Sequence, residues 1–91
     1  MKKYHIEYTK RFQKELKKID IHHQKIILSY IERSIDNCID PRLIGKILKD
    51  DKCEFIRYRI GGYRLIAVIE DGKLVILALA IGHRKEIYKK F

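Results

Sequence analysis

Hydrophobic and polar residues follow two different periods along this chain, and the period changes near its middle. Tyr4, Ile6 and Tyr8 are separated by single polar residues, which is the pattern of a short strand with one buried face. From Phe12 up to about Asn37, apolar residues recur every three or four positions, which is the period of a helix. The first part of the chain is therefore predicted to contain one strand followed by helical structure.

Two helices are predicted, because two residues suited to the N-cap position precede the helical patterns. Thr9 and Asp20 each carry a side-chain oxygen that can accept a hydrogen bond from the first turn of a helix. The apolar stripe of the first helix consists of Phe12, Leu16 and Ile19, and the side outside it is basic. The positions of the second helix that follow helical spacing are Ile27, Tyr30, Ile31, Ser34 and Ile35. The two helices are expected to form a hairpin.

The second half of the chain returns to the period of strands. Three antiparallel strands are predicted at Glu54 to Arg59, Tyr63 to Glu70 and Lys73 to Ile81. Gly61-Gly62 joins the first two, and Asp71-Gly72, a favoured type I′ pair, joins the last two. The last strand is apolar on both faces, as expected inside a sheet, whereas the first alternates and is expected nearer an edge.

Between these halves, the span from Cys38 to Lys52 contains the single proline, Pro41, and is expected to be loop or short extended structure. A short helix is expected at Lys85 to Phe91. The predicted fold class is α+β, with an N-terminal strand and a helical hairpin packed on a small, mostly antiparallel sheet. A chain of this length is expected to form one domain over residues 1–91.

The charge of the chain narrows the class of its partner. The chain has 21 Lys and Arg residues against 12 Asp and Glu residues, which gives a formal net charge of +9. Such an excess favours an anionic partner, such as nucleic acid, an acidic protein or a lipid surface. The longest apolar stretch is far shorter than the roughly 20 residues that span a bilayer, and no signal peptide is evident. We therefore expect a cytoplasmic protein with no membrane partner.

The cysteines and histidines do not predict a metal site. Cys38 and Cys53 lack the paired spacing of a zinc site, and neither His5 nor His22-His23 shows ligand spacing with them. We expect neither a metal nor another cofactor.

Basic side chains are predicted to gather where strands begin and end. Arg57 and Arg59 share one face of their strand and are expected to point away from the core. Arg64 begins the next strand across a tight glycine turn, so it is expected close to Arg59. His83 and Arg84 directly follow the last apolar run, and Arg84 could join the other arginines from the neighbouring strand end. This grouping predicts a site for an anionic substrate.

Three motifs resemble those of the RelE/ParE toxin superfamily. They are Tyr8-Thr9-Lys10-Arg11-Phe12, Gly62-Tyr63-Arg64-Leu65 and Gly82-His83-Arg84-Lys85-Glu86-Ile87-Tyr88. The motifs follow the order of the predicted elements, and the similarity covers essentially the whole chain. The resemblance implies a toxin of a type II toxin-antitoxin system, with a cognate antitoxin as its tightly bound partner and operator DNA contacted only through the antitoxin complex.

Within this superfamily, RelE-like members cut messenger RNA in the ribosomal A site, whereas ParE-like members inhibit DNA gyrase. By the match of motifs, Arg64 corresponds to the arginine that stabilises the phosphate, Arg84 to the arginine on the leaving-group side and Tyr88 to the tyrosine near the carboxyl end. The presence of all three favours a RelE-like, metal-independent endoribonuclease with the ribosome and mRNA as partners. A ParE-type gyrase inhibitor and a non-catalytic antitoxin-binding module are the alternatives.

The resemblance is incomplete in the second strand. Well-studied ribosome-dependent members have two lysines there, at positions where this chain has Phe55 and Arg57. Because arginine stays protonated and cannot readily accept a proton, Arg57 is expected to bind phosphate. His83 and Lys52 are the candidates for the general base. The expected RNA-binding residues are Arg57, Arg59, Lys46, Lys49 and Lys52.

Overall fold

The structure is a computed structural model that describes residues 2–49 and 54–83. In chain order the described residues form β1 (His5–Tyr8), α1 (Lys10–Lys17), α2 (Ile21–Tyr30), β2 (Lys46–Lys49), β3 (Glu54–Ile60), β4 (Tyr63–Glu70) and β5 (Val75–His83). A π-helical turn at Ile31–Ile35 extends α2, and a 3-10 turn at Asp71–Lys73 joins β4 to β5.

The strands form one sheet in the order β1, β5, β4, β3, β2. β1 pairs in parallel with β5, and the other neighbouring strands are antiparallel. The predicted α+β fold, with a strand and a helical hairpin packed on a mostly antiparallel sheet, is confirmed. The helix predicted at Lys85 to Phe91 lies outside the described residues.

Both predicted N-caps are confirmed. The backbone N–H of Phe12 donates to Thr9 Oγ1 over 3.1 Å, and the backbone N–H of His23 donates to Asp20 Oδ2 over 3.1 Å. Each bond satisfies a donor that the first turn of a helix leaves unpaired. In residues 2–49 and 54–83, neither helix has the length and apolar character needed to cross a bilayer.

The helical hairpin covers one face of the sheet, and the main core lies between them. The buried helical residues are Phe12, Ile27, Ile31 and Ile35. The buried strand residues that pack with them are Ile56, Tyr58, Ile60, Leu65, Ala67, Ile76, Ala78 and Ile81. Burying one large aliphatic side chain stabilises the fold by about 1.5–3 kcal/mol. This layer therefore determines which face of each strand turns inward.

The sheet has an edge strand that the sequence did not predict. β2 lies within the span expected to be loop or short extended structure, and it pairs with β3, so the expectation that β3 lies nearer an edge is wrong. The cause is a set of contacts before β2. The Tyr58 hydroxyl donates to the Pro41 carbonyl over 2.7 Å, and a Cβ on Gly45 would lie 2.8 Å from the Arg57 carbonyl oxygen. These contacts hold Pro41 and Gly45 against β3. The residues that follow then pair with β3 as β2.

The turn between β4 and β5 also differs from its prediction. Asp71-Gly72 is not a two-residue type I′ turn, because Glu70 pairs with Val75 and four residues connect them. The connection ends at Leu74, whose φ of 55° is left-handed. The Asp71 carboxylate makes contacts outside the hairpin, and these replace the local turn geometry.

Arg42 holds the chain before β2 to the turn after β4. Its Nη1 and Nη2 donate to the two Asp71 carboxylate oxygens over 3.0 and 2.9 Å, and its Nε donates to Glu54 over 3.3 Å. The Tyr4 hydroxyl donates to Asp71 Oδ1 over 2.6 Å. The bonds from Arg42, followed by the bond from Tyr4, lower the pKa of Asp71 to about 2. The network joins Tyr4, Arg42, Glu54 and Asp71, which are distant from one another in sequence.

We expect Asp71→Asn to lower the free energy of unfolding at neutral pH by up to about 1 kcal/mol, since these groups are partly exposed and screened by water. The pKa of Asp71 lies below its ordinary value of 3.8 in the folded chain, so the ionised carboxylate stabilises the fold above that pH. This contribution is lost as the pH falls towards 2. Urea unfolding should therefore show a difference between wild type and variant that shrinks on acidification.

The matched control is Glu70→Gln, because the Glu70 carboxylate lies 3.7 Å from the exposed Lys73 amine. Its effect should be smaller than that of Asp71→Asn. Equal effects of the two substitutions, or an effect of Asp71→Asn that does not change with pH, would contradict the role given to the Arg42 network.

Candidate functional site

The face of the sheet opposite the helical hairpin carries a group of basic side chains. In the register of the sheet, Lys46 lies opposite Arg57 and Arg59 lies opposite Arg64. Residues that lie directly opposite each other on antiparallel strands share a face, and residues two apart on one strand do so as well. We call Lys46, Arg57, Arg59 and Arg64 the basic cluster. The predictions that Arg57 and Arg59 point away from the core, and that Arg64 lies close to Arg59, are confirmed.

Arg64 is the buried member of the basic cluster, with 5% of its surface exposed. Its Nη1 donates to the Tyr63 carbonyl over 3.3 Å, whereas its buried Nε has no hydrogen-bond partner in the described part of the chain. A buried charged group with an unsatisfied donor is costly, and the like charge of Arg59 directly opposite adds repulsion. An anion bound by both guanidinium groups would reduce both costs.

A β-bulge sets what lies across from Arg64. β4 and β5 change register between Ile66 and Ala67, where Leu79 is the extra residue on β5. A bulge of this kind changes which face the following residues occupy. Beyond it, Gly82 lies opposite Arg64. The neighbouring strand therefore places no side chain against the guanidinium group.

Apolar side chains lie beside the basic cluster on the same face. Ile66 and Ala80 are buried there, and Leu48 and Phe55 pack against them. Phe55 therefore packs within the protein. Apolar neighbours lower the local dielectric, so an arginine beside them attracts an anion more strongly than it would in water. The arrangement can bind a phosphate group next to an apolar surface.

His83 is not brought together with Arg64. It pairs with Tyr63, on the opposite side of the strands from the Arg64 and Gly82 pair. The rings of Tyr63 and His83 meet edge to face at 5.7 Å, and the ring of His23 lies 5.5 Å from that of Tyr63. His83 thus belongs to a group of rings at the helical side of the sheet.

The remaining predicted site residues fall into two groups. Lys49 is exposed and lies opposite Glu54, on the face of the sheet away from the basic cluster. Lys52, Arg84 and Tyr88 lie outside the described residues. Within the described ranges, no group of three or more His, Cys, Asp and Glu side chains could hold a metal ion.

Glu15 is a residue at the contact between α1 and β5 whose role the sequence pattern did not indicate. The backbone N–H of Ile81 donates to Glu15 Oε1 over 3.3 Å, and Arg11 Nε lies 3.6 Å from the same oxygen. The contact ties α1 to the last part of β5, just before Gly82. A signal was available, because Glu15 is the one acidic residue of α1 and stands three residues after the buried Phe12.

We expect Arg64→Met to raise the free energy of unfolding by about 1 kcal/mol, because an apolar side chain of similar length replaces a buried charge with an unsatisfied donor. The same substitution should remove the stabilisation that inorganic phosphate gives to the wild-type protein, since a ligand that binds only the folded state raises its stability. Thermal unfolding at increasing phosphate concentration measures both effects.

Arg33→Met is the matched control, because Arg33 is exposed at the end of the helical hairpin and its replacement changes the net charge equally. It should leave the phosphate effect intact. A phosphate effect that is the same in Arg64→Met as in the wild type would contradict an anion site at Arg64.

The comparisons with known proteins agree with this fold. A family model described as the ParE toxin of the type II toxin-antitoxin system parDE matches residues 6–88. Among curated protein sequences, none matches. The chain is similar to a chain of the toxin-antitoxin complex RelBE2 from Mycobacterium tuberculosis, with a TM-score of 0.81, 22% identity, and 94% of this chain and 97% of that chain covered.

Two further solved structures show higher identity. A chain of the RelB-RelE antitoxin-toxin complex from Methanococcus jannaschii is 29% identical, with a TM-score of 0.66 and with 92% of this chain and 96% of that chain covered. A chain of the intact Escherichia coli RelBE toxin-antitoxin complex is 25% identical, with a TM-score of 0.56 and with 88% and 95% covered. Since the family model spans most of the sequence, the protein belongs to the ParE toxin family of type II toxin-antitoxin systems, within the RelE/ParE superfamily.

Proposed function

We propose that this toxin is an endoribonuclease that cuts mRNA in the ribosomal A site. The observation that carries the proposal is the buried guanidinium group of Arg64, whose Nε lacks a hydrogen-bond partner among the described residues and which lies opposite Arg59. A phosphodiester of RNA has the charge and the oxygen acceptors that such a pair of guanidinium groups binds. The 25–29% identity to chains of RelB-RelE complexes supports the same branch of the superfamily.

The proposed reaction uses the 2′-hydroxyl group of the RNA as an internal nucleophile. The bond between the 2′ oxygen and the adjacent phosphorus forms, and the bond between that phosphorus and the 5′ oxygen breaks. The 2′-hydroxyl proton leaves to a base, and the departing 5′ oxygen receives a proton. The products are a 2′,3′-cyclic phosphate and a 5′-hydroxyl group, and negative charge accumulates on the phosphate oxygens in the transition state.

In this proposal the basic cluster stabilises the charge that develops on the phosphate. Arg64 and Arg59 donate to its non-bridging oxygens, and Arg57 and Lys46 hold the neighbouring part of the RNA backbone. By the resemblance to RelE, Arg84 acts on the leaving-group side and Tyr88 orients a base by stacking. The apolar side chains beside the cluster exclude water from the reacting group.

The proposal gives His83 no direct part in proton removal. Its pairing with Tyr63 puts it on the other side of the strands from Arg64. Arginine does not readily accept a proton at neutral pH, which leaves Lys52 as the other candidate base from the sequence.

Arg64→Ala should lower the rate of mRNA cleavage in a translating extract by about 10²–10³-fold, the loss that follows removal of one donor to a transition-state anion. Mapping of transcript 5′ ends measures the rate and the position of the cuts. Arg33→Ala, an exposed arginine on the helical hairpin, is the control with the same change in charge and should cleave normally. Absence of cleavage by the wild type, or full activity in Arg64→Ala, would overturn the proposal.

A second candidate is inhibition of DNA gyrase, which is favoured by the match of the family model to ParE toxins. In that case the basic cluster would bind a protein or DNA surface and would carry out no chemistry. A DNA supercoiling assay separates the candidates, because a gyrase inhibitor blocks supercoiling and leaves transcripts intact. A protein that does neither and still binds its antitoxin would be a non-catalytic antitoxin-binding module.

A further inference from the structure

The β-bulge in β5 lies where α1 takes over from β1 as the neighbour of β5. The pairing of β1 with β5 ends at Tyr8, which lies opposite Ala78, and the chain then enters α1 through its N-cap, Thr9. Leu79, the extra residue of the bulge, directly follows this last pair. From there onwards α1 packs along β5. Side chains of α1 can therefore bond to peptide groups of β5 that β1 no longer pairs.

Two side chains bond to β5 on either side of the bulge. The Thr9 hydroxyl shares its proton between the carbonyl oxygens of Ala78 and Leu79, at 2.9 and 3.2 Å. Two residues further on, the backbone N–H of Ile81 donates to Glu15 Oε1 over 3.3 Å. A bulge disrupts the ladder of hydrogen bonds and leaves peptide groups that the partner strand does not pair. Thr9 and Glu15 supply partners for such groups.

Glu15 is well placed to hold this contact. Its side chain is 11% exposed, and its Oε1 lies 3.6 Å from Arg11 Nε, one turn earlier on the same helix. A carboxylate accepts a hydrogen bond more strongly than a neutral oxygen does, and a half-buried one has few alternative positions. The contact with Ile81 therefore fixes the direction in which that N–H points.

The direction of the Ile81 N–H depends on the register. Successive residues of an antiparallel strand turn their peptide groups alternately towards the partner strand and away from it. The Ala78 carbonyl points away from β4, to Thr9, so in a regular strand the Ile81 N–H, three residues later, would point towards β4. It points away, to Glu15, because Leu79 is an extra residue. The bond to Glu15 therefore forms in the bulged register and is lost in the regular one.

The register in turn decides which residue lies opposite Arg64. If the pairing of Ala67 with Ala78 continued without the bulge, Ile81 would lie opposite Arg64. Ile81 would then leave the main core, where it is 2% exposed, and its side chain would lie against the guanidinium group. With the bulge, Gly82 occupies that position. The space beside the guanidinium group is thus a product of the bulged register.

We propose that Thr9 and Glu15 are positioning residues of the anion site, because they hold β5 in the register that leaves Gly82 opposite Arg64. Both act through the backbone of β5, and neither belongs to the basic cluster. Groups that fix the parts of a site commonly affect ligand affinity even though they do not contact the ligand. The inference rests on the anion site that the proposed function assigns to Arg64.

The test compares Glu15→Leu with Glu15→Gln in the full-length toxin. Both substitutions remove the same charge, but glutamine keeps an oxygen that can accept the Ile81 N–H. Glu15→Leu should weaken the binding of inorganic phosphate by about tenfold or more, the loss that follows removal of a group that orients a site. Glu15→Gln should bind within about threefold of the wild type, because the bond is weakened and not lost. NMR titration with phosphate measures both affinities.

A second pair of variants separates the two roles of Thr9. In Thr9→Asp the side chain still caps α1, but an ionised carboxylate has no proton to donate to the carbonyl oxygens of the bulge. This variant should weaken phosphate binding as Glu15→Leu does. Thr9→Ser keeps both the cap and the donor, so it should bind phosphate like the wild type.

Cross-strand NOEs in the same samples report the register directly. Since the Ile81 N–H points away from β4, Leu65 and Ile81 form a pair without hydrogen bonds between them, and their α protons lie close together. In Glu15→Leu their NOE should weaken, and an NOE between Leu65 and Ala80 should appear. Phosphate binding by Glu15→Leu equal to that of Glu15→Gln, or weakened binding with unchanged NOEs, would overturn the proposal.

These readouts are independent of RNA cleavage. If the wild type cuts no transcript and the Glu15 variants still differ as expected, the nuclease proposal fails and the positioning role stands. If the wild type cuts transcripts and the two Glu15 variants bind phosphate equally, the positioning role fails alone. A wild-type protein that binds no phosphate would overturn the anion site and the positioning role together.

Discussion

The covering of a single face of the sheet by the helical hairpin is the constraint on which the rest of this structure depends. The helices bring Phe12, Ile27, Ile31 and Ile35 onto one face, and β3, β4 and β5 each turn a set of apolar residues towards them. Because side chains alternate along a strand, the residues between them are forced onto the other face. The basic cluster is therefore a consequence of core formation. No separate interaction is needed to bring Lys46, Arg57, Arg59 and Arg64 to the same surface.

The same constraint places a buried charge with an unsatisfied hydrogen-bond donor in the candidate site, and this costs free energy. Arg64 is buried on the face of the sheet away from the helical hairpin, with one nitrogen left without a partner in the described structure and another arginine opposite. A protein optimised only for stability would place an apolar residue there. A charge kept at such a position is pre-positioned for an anionic ligand, and the energy recovered on binding is available for affinity or for catalysis.

The comparisons establish the fold and the family of this chain, and they do not identify its target. A family model of ParE toxins matches most of the chain, and solved RelB-RelE complexes share its fold. A fold common to toxins with different targets cannot by itself identify a target, because function resides in side chains placed on the scaffold. In this chain the candidate side chains, those of the basic cluster, lie on the face of the sheet away from the helical hairpin.

The sequence by itself determined the features that depend on local periodicity and on capping chemistry. These are the helical hairpin with its caps at Thr9 and Asp20, the strands of the second half, and the facing of Arg57 and Arg59 away from the core. Only the tertiary structure decided the features that depend on contacts between distant residues. The clamp of Arg42 on Asp71 replaced a predicted hairpin turn, and the contact of Pro41 with Tyr58 directs part of a span predicted as loop or short extended structure along β3. The physical reason is that a periodic pattern records which side of an element is buried, whereas the choice of neighbouring strand and the position of a bulge depend on the long-range contacts that a given register permits.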